Sequence, residues 1–149
     1  IYLREVLGRE DGAPPPVDLL LEKTTGDFVR SQIEAGPLTV VHDLSDGGLL
    51  VAAAEIALAS DCGVELDATS PTHAHVLLFG EDQGRYLVAV HDPSEIIAAA
   101  HVAGIHASVV GRAKGRDFVS GGPDGDLFRS PLTQLRDAHE GWMPRWMEG

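Results

Sequence analysis

At 149 residues the chain is long enough for one domain with a real core and too short for two ordinary ones. Acidic residues outnumber basic ones 23 to 11, a formal charge of -12, so the overall field opposes nucleic-acid phosphates and anionic membranes, and neither is expected as a partner. The single cysteine, Cys62, excludes an internal disulfide framework and suits a reducing compartment, with the cytoplasm as the expected location.

No apolar run approaches the roughly 20 residues that a membrane helix needs. The opening Ile1-Tyr2-Leu3-Arg4-Glu5 has no initiator Met and no signal-peptide core, so a piece of a longer protein is expected. Residues 1–17 read as an arm, because Pro14, Pro15 and Pro16 fix φ and remove amide donors. Residues 18–149 read as the domain. Asp18 is placed to cap a helix that carries Leu20, Leu21, Phe28, Val29 and Ile33, with Gly26 as a point of interruption and Gly36-Pro37 as the stop.

Leu38 to Val41 reads as a short buried strand. It feeds into His42-Asp43-Leu44-Ser45-Asp46-Gly47-Gly48-Leu49, the form of a tight polar turn, and an alanine-rich helix then runs to about Ala59. Ser45 or Asp46 is expected to cap that helix, while Gly47 and Gly48 permit positive φ or a close backbone neighbour. Val64, Leu66 and Ala68 alternate with Glu65 and Asp67 as a half-buried strand. Val76–Phe79 and Tyr86–Val90 read as a hairpin about Gly80-Glu81-Asp82-Gln83-Gly84. Asp92-Pro93-Ser94-Glu95 opens a helix that stops at Gly104, and Ile105–Val110 is the last expected strand. The glycine-rich stretch from Gly111 to Asp126 reads as turns or a small hairpin around Phe118. Ser130-Pro131 starts a final helix with Leu132 and Leu135 on one face, and Trp142, Met143, Trp146 and Met147 read as apolar anchors. This order predicts an α+β fold, a mixed β-sheet with helices packed on one face.

The turn supports two readings. Asp43, Ser45 and Asp46 can serve only to cap a helix; alternatively, a helix N-terminus with free amides binds a ligand, with Mg²⁺ or an amine between the two carboxylates and any phosphate. Glu81-Asp82-Gln83-Gly84-Arg85 is likewise either a solvated turn or a set of hydrogen-bonding groups for a polar ligand. His73, His75 and His42 fall short of the three or four ligands and shared placement that zinc wants, and no metal site is assigned. Gly111-Arg112-Ala113-Lys114-Gly115-Arg116 lacks the spacing of a phosphate-binding loop and reads as a basic loop. There is no Gly-x-Ser-x-Gly, no His-Glu-x-x-His and no nucleophile with an adjacent base, so no catalytic residue is assigned.

The wording from Val41 to Leu49, with Glu55 in the helix that follows, resembles the C-terminal, AIR-synthase-related domain of phosphoribosylformylglycinamidine (FGAM) synthases of purine biosynthesis. Tyr2-Leu3, Gly12 to Leu19, Phe79 to Tyr86 and Leu132 to Met147 extend the resemblance over nearly the whole chain. The resemblance implies an AIR synthase C-terminal domain-like fold within an enzyme that uses ATP and Mg²⁺. That enzyme converts formylglycinamide ribonucleotide and glutamine-derived ammonia to the amidine: ATP activates the formamide oxygen and ammonia displaces the phosphate. It implies as partners the preceding domains of the same chain, a glutaminase subunit and a small bridging subunit. The histidine and lysine of the chemistry belong to the ATP-handling domains, so this piece alone is expected to be inactive and to hold neither ATP nor Mg²⁺. Glu81-Asp82-Gln83-Gly84-Arg85 stands where the first half of such enzymes carries Glu-Ser-Gln-Glu-Arg, with Asp82 and Gly84 departing from the pattern. The implied pocket lining is Asp43, Ser45, Asp46, Gly47, Gly48, Glu81, Asp82 and Gln83. The other readings are a non-catalytic interaction module, or the same domain type from AIR synthase, selenophosphate synthetase, thiamine-phosphate kinase or a hydrogenase maturation protein.

Overall fold

The computed structural model describes residues 2–10, 14–68, 74–122 and 125–148. The chain forms two compact units: Ile1–Ala52 with His75–Val109, and Ala53–Ala74 with Val110–Gly149. Its class is α+β, as the sequence predicts, and the sheets contain both parallel and antiparallel pairs.

The first unit begins with α1 (Tyr2–Glu5), whose Tyr2 ring stacks on Phe79 at a centroid distance of 4.4 Å. α2 (Leu19–Ala35) starts where Asp18 accepts hydrogen bonds from the amides of Leu20 and Leu21, both at 3.0 Å. It ends where Gly36 takes φ +97° and its amide donates to the Ile33 carbonyl. The helix runs through Gly26 without a break. A Cβ at Gly26 would lie 3.5 Å from the Tyr86 hydroxyl, an ordinary contact. The expected apolar face is only partly covered: Val29 is buried, whereas Leu20, Leu21 and Ile33 are exposed.

β1 (Val40–Asp43) pairs antiparallel with β3 (Tyr86–Ala89), placing Asp43 opposite Tyr86. Between them in the chain come the start of α3 (Gly48–Ser60) and most of α4 (Ala74–Phe79). The expected strand at Val76–Phe79 is therefore a helix, closed by the Gly80 amide on the Val76 carbonyl at 3.1 Å. A four-residue apolar run carries no period that separates strand from helix, and the partner expected for it, Tyr86–Ala89, is taken by β1. α5 (Pro93–Val102) opens with Asp92 accepting from the Ser94 amide and Pro93 in the first turn, as predicted. Ile105–Val110 is not a strand; the Val110 carbonyl links it to the ladder, accepting from the Asp67 amide at 2.9 Å.

In the second unit α3 presents Ala53, Ala57 and Leu58 as buried residues. β2 (Val64–Asp67), β4 (Gly111–Ala113), β5 (Asp117–Gly122) and β6 (Gly125–Pro131) form a sheet in the order β4-β2-β5-β6. β5 runs parallel to β2 and the other pairs are antiparallel. The stretch read as turns or a small hairpin around Phe118 thus holds β4, β5 and the start of β6, and β5 with β6 is a hairpin that contains Phe118. Phe118, Val119 and Ser120 are consecutive and all buried, so β5 is covered on both faces, which glycine-rich flanks conceal in a pattern reading.

The register places Leu66, Phe118, Ser120 and Ser130 on one face, all buried, and Glu65, Arg112, Val119 and Arg129 on the other. A shift in register between Ser120 and Gly121 leaves Leu127 without a partner. That extra residue turns Asp126 to the face of Arg129, and the two pair at 2.9 Å. α6 (Leu132–Glu140) and α7 (Trp142–Glu148) close the chain. Leu132 is buried, but the four expected anchors of the tail are all exposed.

Candidate functional site

The polar turn occupies the gap between β1 and α3, and its shape follows from two glycines with positive φ, Gly47 at +82° and Gly48 at +67°. At Gly48 a Cβ would lie 2.7 Å from the Gly80 carbonyl oxygen and 2.9 Å from the Phe79 carbonyl carbon. Only glycine satisfies both the backbone angle and the contact. The sequence therefore brings the start of α3 against the end of α4, backbone to backbone.

Hydrogen bonds complete the junction. The Leu44 amide donates to the Arg85 carbonyl at 2.9 Å, and the Gly48 amide donates to the Ser45 carbonyl at 3.0 Å. The Gly47 amide donates to Glu81 Oε1 at 3.0 Å, across 34 residues of chain. That bond holds the Glu81 carboxyl below its ordinary range, because the amide stabilises the ionised form. Arg85 braces the segment from the other side, donating to the Gly80 carbonyl at 3.2 Å and lying 3.5 Å from Asp82 Oδ2. A Cβ at Gly84 would come 3.3 Å from the Glu22 backbone, which seats the segment on α2.

The two polar clusters singled out in the sequence thus meet, although not as a hairpin tip beside a turn. Gly47, Gly48 and Glu81 form the junction itself. Asp43, Ser45, Asp46, Asp82 and Gln83 are exposed around it, Asp43 at the end of β1 with its Oδ1 3.8 Å from His42 Nδ1. The side chain that receives an amide at the helix start is Glu81, where Ser45 or Asp46 was the sequence expectation; Ser45 contributes its backbone carbonyl instead. Pattern reading looks for a cap next to its helix and has no means of finding one 34 residues away.

The electrostatics limit what this junction can bind. Asp43, Asp46, Glu81 and Asp82 contribute four carboxylates within its two segments, and the amides of Gly47 and Gly48 are already engaged. A bare triphosphate does not fit such a donor set, since the carboxylates repel it and these two amides are not free to receive it. Among the described residues no three His, Cys, Asp or Glu side chains converge as a metal-ligand group. Of the histidines weighed in the sequence, His73 lies outside the described residues, and His75 stacks beside Tyr2 at 6.4 Å.

A concavity of about 230 Å³ lies on the charged face of the four-stranded sheet, lined by Glu65, Lys114, Arg116, Asp117, Val119 and Arg129. The sequence gives its basic loop without its acidic neighbours. Lys114 pairs with Glu65 at 3.3 Å, Arg116 with Asp61, and Arg129 with Asp117 at 3.0 Å, so each of these cations meets a carboxylate. None of the expected site residues lines it.

Residues 1–121 match the family described as AIR synthase related protein, C-terminal domain. The chain is 62% identical over 147 residues to the phosphoribosylformylglycinamidine synthase subunit PurL of Caulobacter vibrioides, a match that takes in 99% of this chain and 19% of that protein. The corresponding subunit of Acidiphilium cryptum is 50% identical over 147 residues, covering 98% of this chain and 20% of its own. The chain therefore spans about a fifth of the length of the curated relatives it matches. Among solved structures, Thermotoga maritima PurL complexed with FGAR aligns over 90% of this chain and 24% of its own with a TM-score of 0.75 at 19% identity, a likeness of fold. The same Thermotoga protein has been solved complexed with ATP, at a TM-score of 0.68 over 76% of this chain and 21% of that one, and within PurLQS, at 0.71 over 90% and 24%, each at 19% identity.

Proposed function

The chain belongs to the family of AIR-synthase-related C-terminal domains, and from that membership we propose that it acts as the C-terminal domain of the synthetase subunit of FGAM synthase. In this reading the whole subunit converts formylglycinamide ribonucleotide to its amidine with ATP, Mg²⁺ and glutamine-derived ammonia, in the cytoplasm. Its partners are the preceding domains of its own chain, a glutaminase subunit and a small bridging subunit. Residues 1–17 serve as an arm that packs back on the domain through Tyr2 and Phe79.

The observation that carries the site is the Gly47–Glu81 hydrogen bond, which joins the turn and the segment before β3 into one rim. Asp43, Ser45, Asp46 and Gln83 stand exposed on that rim, where they can meet polar groups of a ligand held by another domain. No chemical step is assigned to these residues. The junction's charge disfavours a nucleotide held by this chain alone, so ATP and Mg²⁺ are assigned to the remainder of the subunit.

The engaged amides and the Gly48–Gly80 approach favour a second reading, in which the junction is structural and the chain an interaction module. Turnover distinguishes the roles. The full subunit supplied with formylglycinamide ribonucleotide, ATP, Mg²⁺ and ammonia is expected to form the amidine, and residues 1–149 alone are expected to form none. Amidine formation by residues 1–149 alone overturns the assignment of the chemistry elsewhere, and its failure in the full subunit overturns the enzymatic reading.

A further inference from the structure

α7 carries its apolar residues as two adjacent i, i+4 pairs, Trp142 with Trp146 and Met143 with Met147. The two indoles stack with centroids 6.2 Å apart and planes 12° apart, so they form one continuous surface. Exposure of Trp142, Met143, Trp146 and Met147 is 58%, 51%, 70% and 74%. Together they leave roughly 500 Å² of apolar side chain open, the size of the largest apolar patch on a typical monomer, and such patches are often functional.

Residues 1–121 match the domain family, so α6 and α7 lie beyond the matched range. The Caulobacter synthase subunit nevertheless matches over 147 residues of this chain, which leaves room for two unmatched residues at most and takes in nearly all of the tail. The chain with its tail thus makes up about a fifth of such a subunit, and the remainder of that subunit is available as a surface for the tail to meet. Self-association of two copies through this stripe buries about 1,000 Å² in total, the floor for a specific interface. A partner in the same polypeptide holds an effective concentration in the millimolar range, so a patch of this size suffices there.

We propose that the Trp142/Trp146 and Met143/Met147 stripe of α7 is the surface by which this domain docks on the remainder of its own synthase subunit. The inference rests on the reading of the chain as part of that subunit. Tryptophan and methionine suit such a surface, because the rings supply rigid area and the thioethers adapt to the groups they face.

Oxidation of the full-length subunit tests the docking. Dilute peroxide converts exposed thioethers to sulfoxide, and peptide mass spectrometry reads each methionine separately. Docking predicts that Met143 and Met147 oxidise at least about tenfold more slowly in the native subunit than in the same subunit unfolded in guanidinium. A photo-crosslinking amino acid in place of Met147 is expected to bond to residues of the same polypeptide outside 1–149. Oxidation within about twofold of the unfolded rate overturns the proposal. So does a cross-link to a second copy, to a different subunit or to residues within 1–149. Neither readout needs turnover, so a failed docking surface is told apart from a failed enzymatic assignment, which amidine formation measures.

Discussion

The amide of Gly47 donates to the carboxylate of Glu81 at 3.0 Å, linking the residue that precedes one helix to the segment that leaves another. Truncating Glu81 leaves that amide to water and removes the side-chain link between the two polar segments. Glu81→Ala is expected to lower the unfolding free energy by about 1–2 kcal/mol, and Glu81→Gln by about half as much, since the amide oxygen still accepts. Urea unfolding of both variants measures this, and amide exchange at Gly47 should quicken in the alanine variant. Equal stability of wild type and Glu81→Ala would show that the bond contributes nothing.

The same bond sets a pH dependence. Folding lowers the Glu81 carboxyl below its ordinary value of 4.5, so its contribution is present in full above that value and is lost as pH falls through the lower, folded value. Asp27, held down by the Lys23 ammonium, and Asp92, held down by Ser94, act in the same direction. Stability is therefore expected to decline below about pH 4.5, and Glu81→Gln should flatten part of that decline. A curve for Glu81→Gln that parallels wild type from pH 5 to pH 3, both values approximate, would assign the acid sensitivity elsewhere.

Gly48 and Gly36 both have positive φ but differ in what surrounds them. A Cβ at Gly36 meets nothing within 4 Å, and Gly36→Ala is expected to cost only backbone strain, about 1 kcal/mol. At Gly48 the added carbon lies 2.7 Å from a backbone oxygen, so Gly48→Ala is expected to cost about 3 kcal/mol or more. Thermal or urea unfolding of the pair gives the difference directly. Equal costs would contradict the close approach of the turn to Gly80.

On the buried face of the four-stranded sheet, Phe118 and Ser120 sit two residues apart, each 1% exposed. Phe118→Ala is expected to cost about 3–5 kcal/mol. The Ser120 hydroxyl has no hydrogen-bond partner among the described residues. Ser120→Ala removes an unsatisfied buried group and is expected to be neutral or stabilising by up to about 1 kcal/mol. A clear destabilisation at Ser120→Ala would reveal a partner for its hydroxyl.

The fold was legible wherever a boundary carried its own chemistry. Asp18, Gly36, Asp92 and Pro93 mark helix ends in the sequence and do so in the structure. The expectation failed where the deciding interactions are remote. Val76–Phe79 became a helix because β1 took its expected strand partner. Around Phe118 the choice between turns and a small hairpin stayed open because Gly121 and Gly122 follow the buried residues, and the ladders to β2 and β6 are what make Phe118 to Ser120 a strand. The motif from His42 to Leu49 named the family, but its meeting with Glu81 depends on a backbone approach at Gly48 that residue types alone do not encode.

The central claim is that the joined turn forms a rim of the synthase pocket, and Asp43 and Asp46 test it most directly. Both are exposed, Asp43 with 68% of its side chain open, so removing them is expected to change stability by less than about 0.5 kcal/mol. The measurement is amidine formation by the full-length subunit carrying Asp43→Ala and Asp46→Ala, with the melting temperature of the same protein. A rim that meets the ligand predicts a loss of at least about tenfold in kcat/KM at an unchanged melting temperature. Activity within about twofold of wild type, or a loss that tracks a fall in melting temperature, would contradict it and leave the junction a structural one.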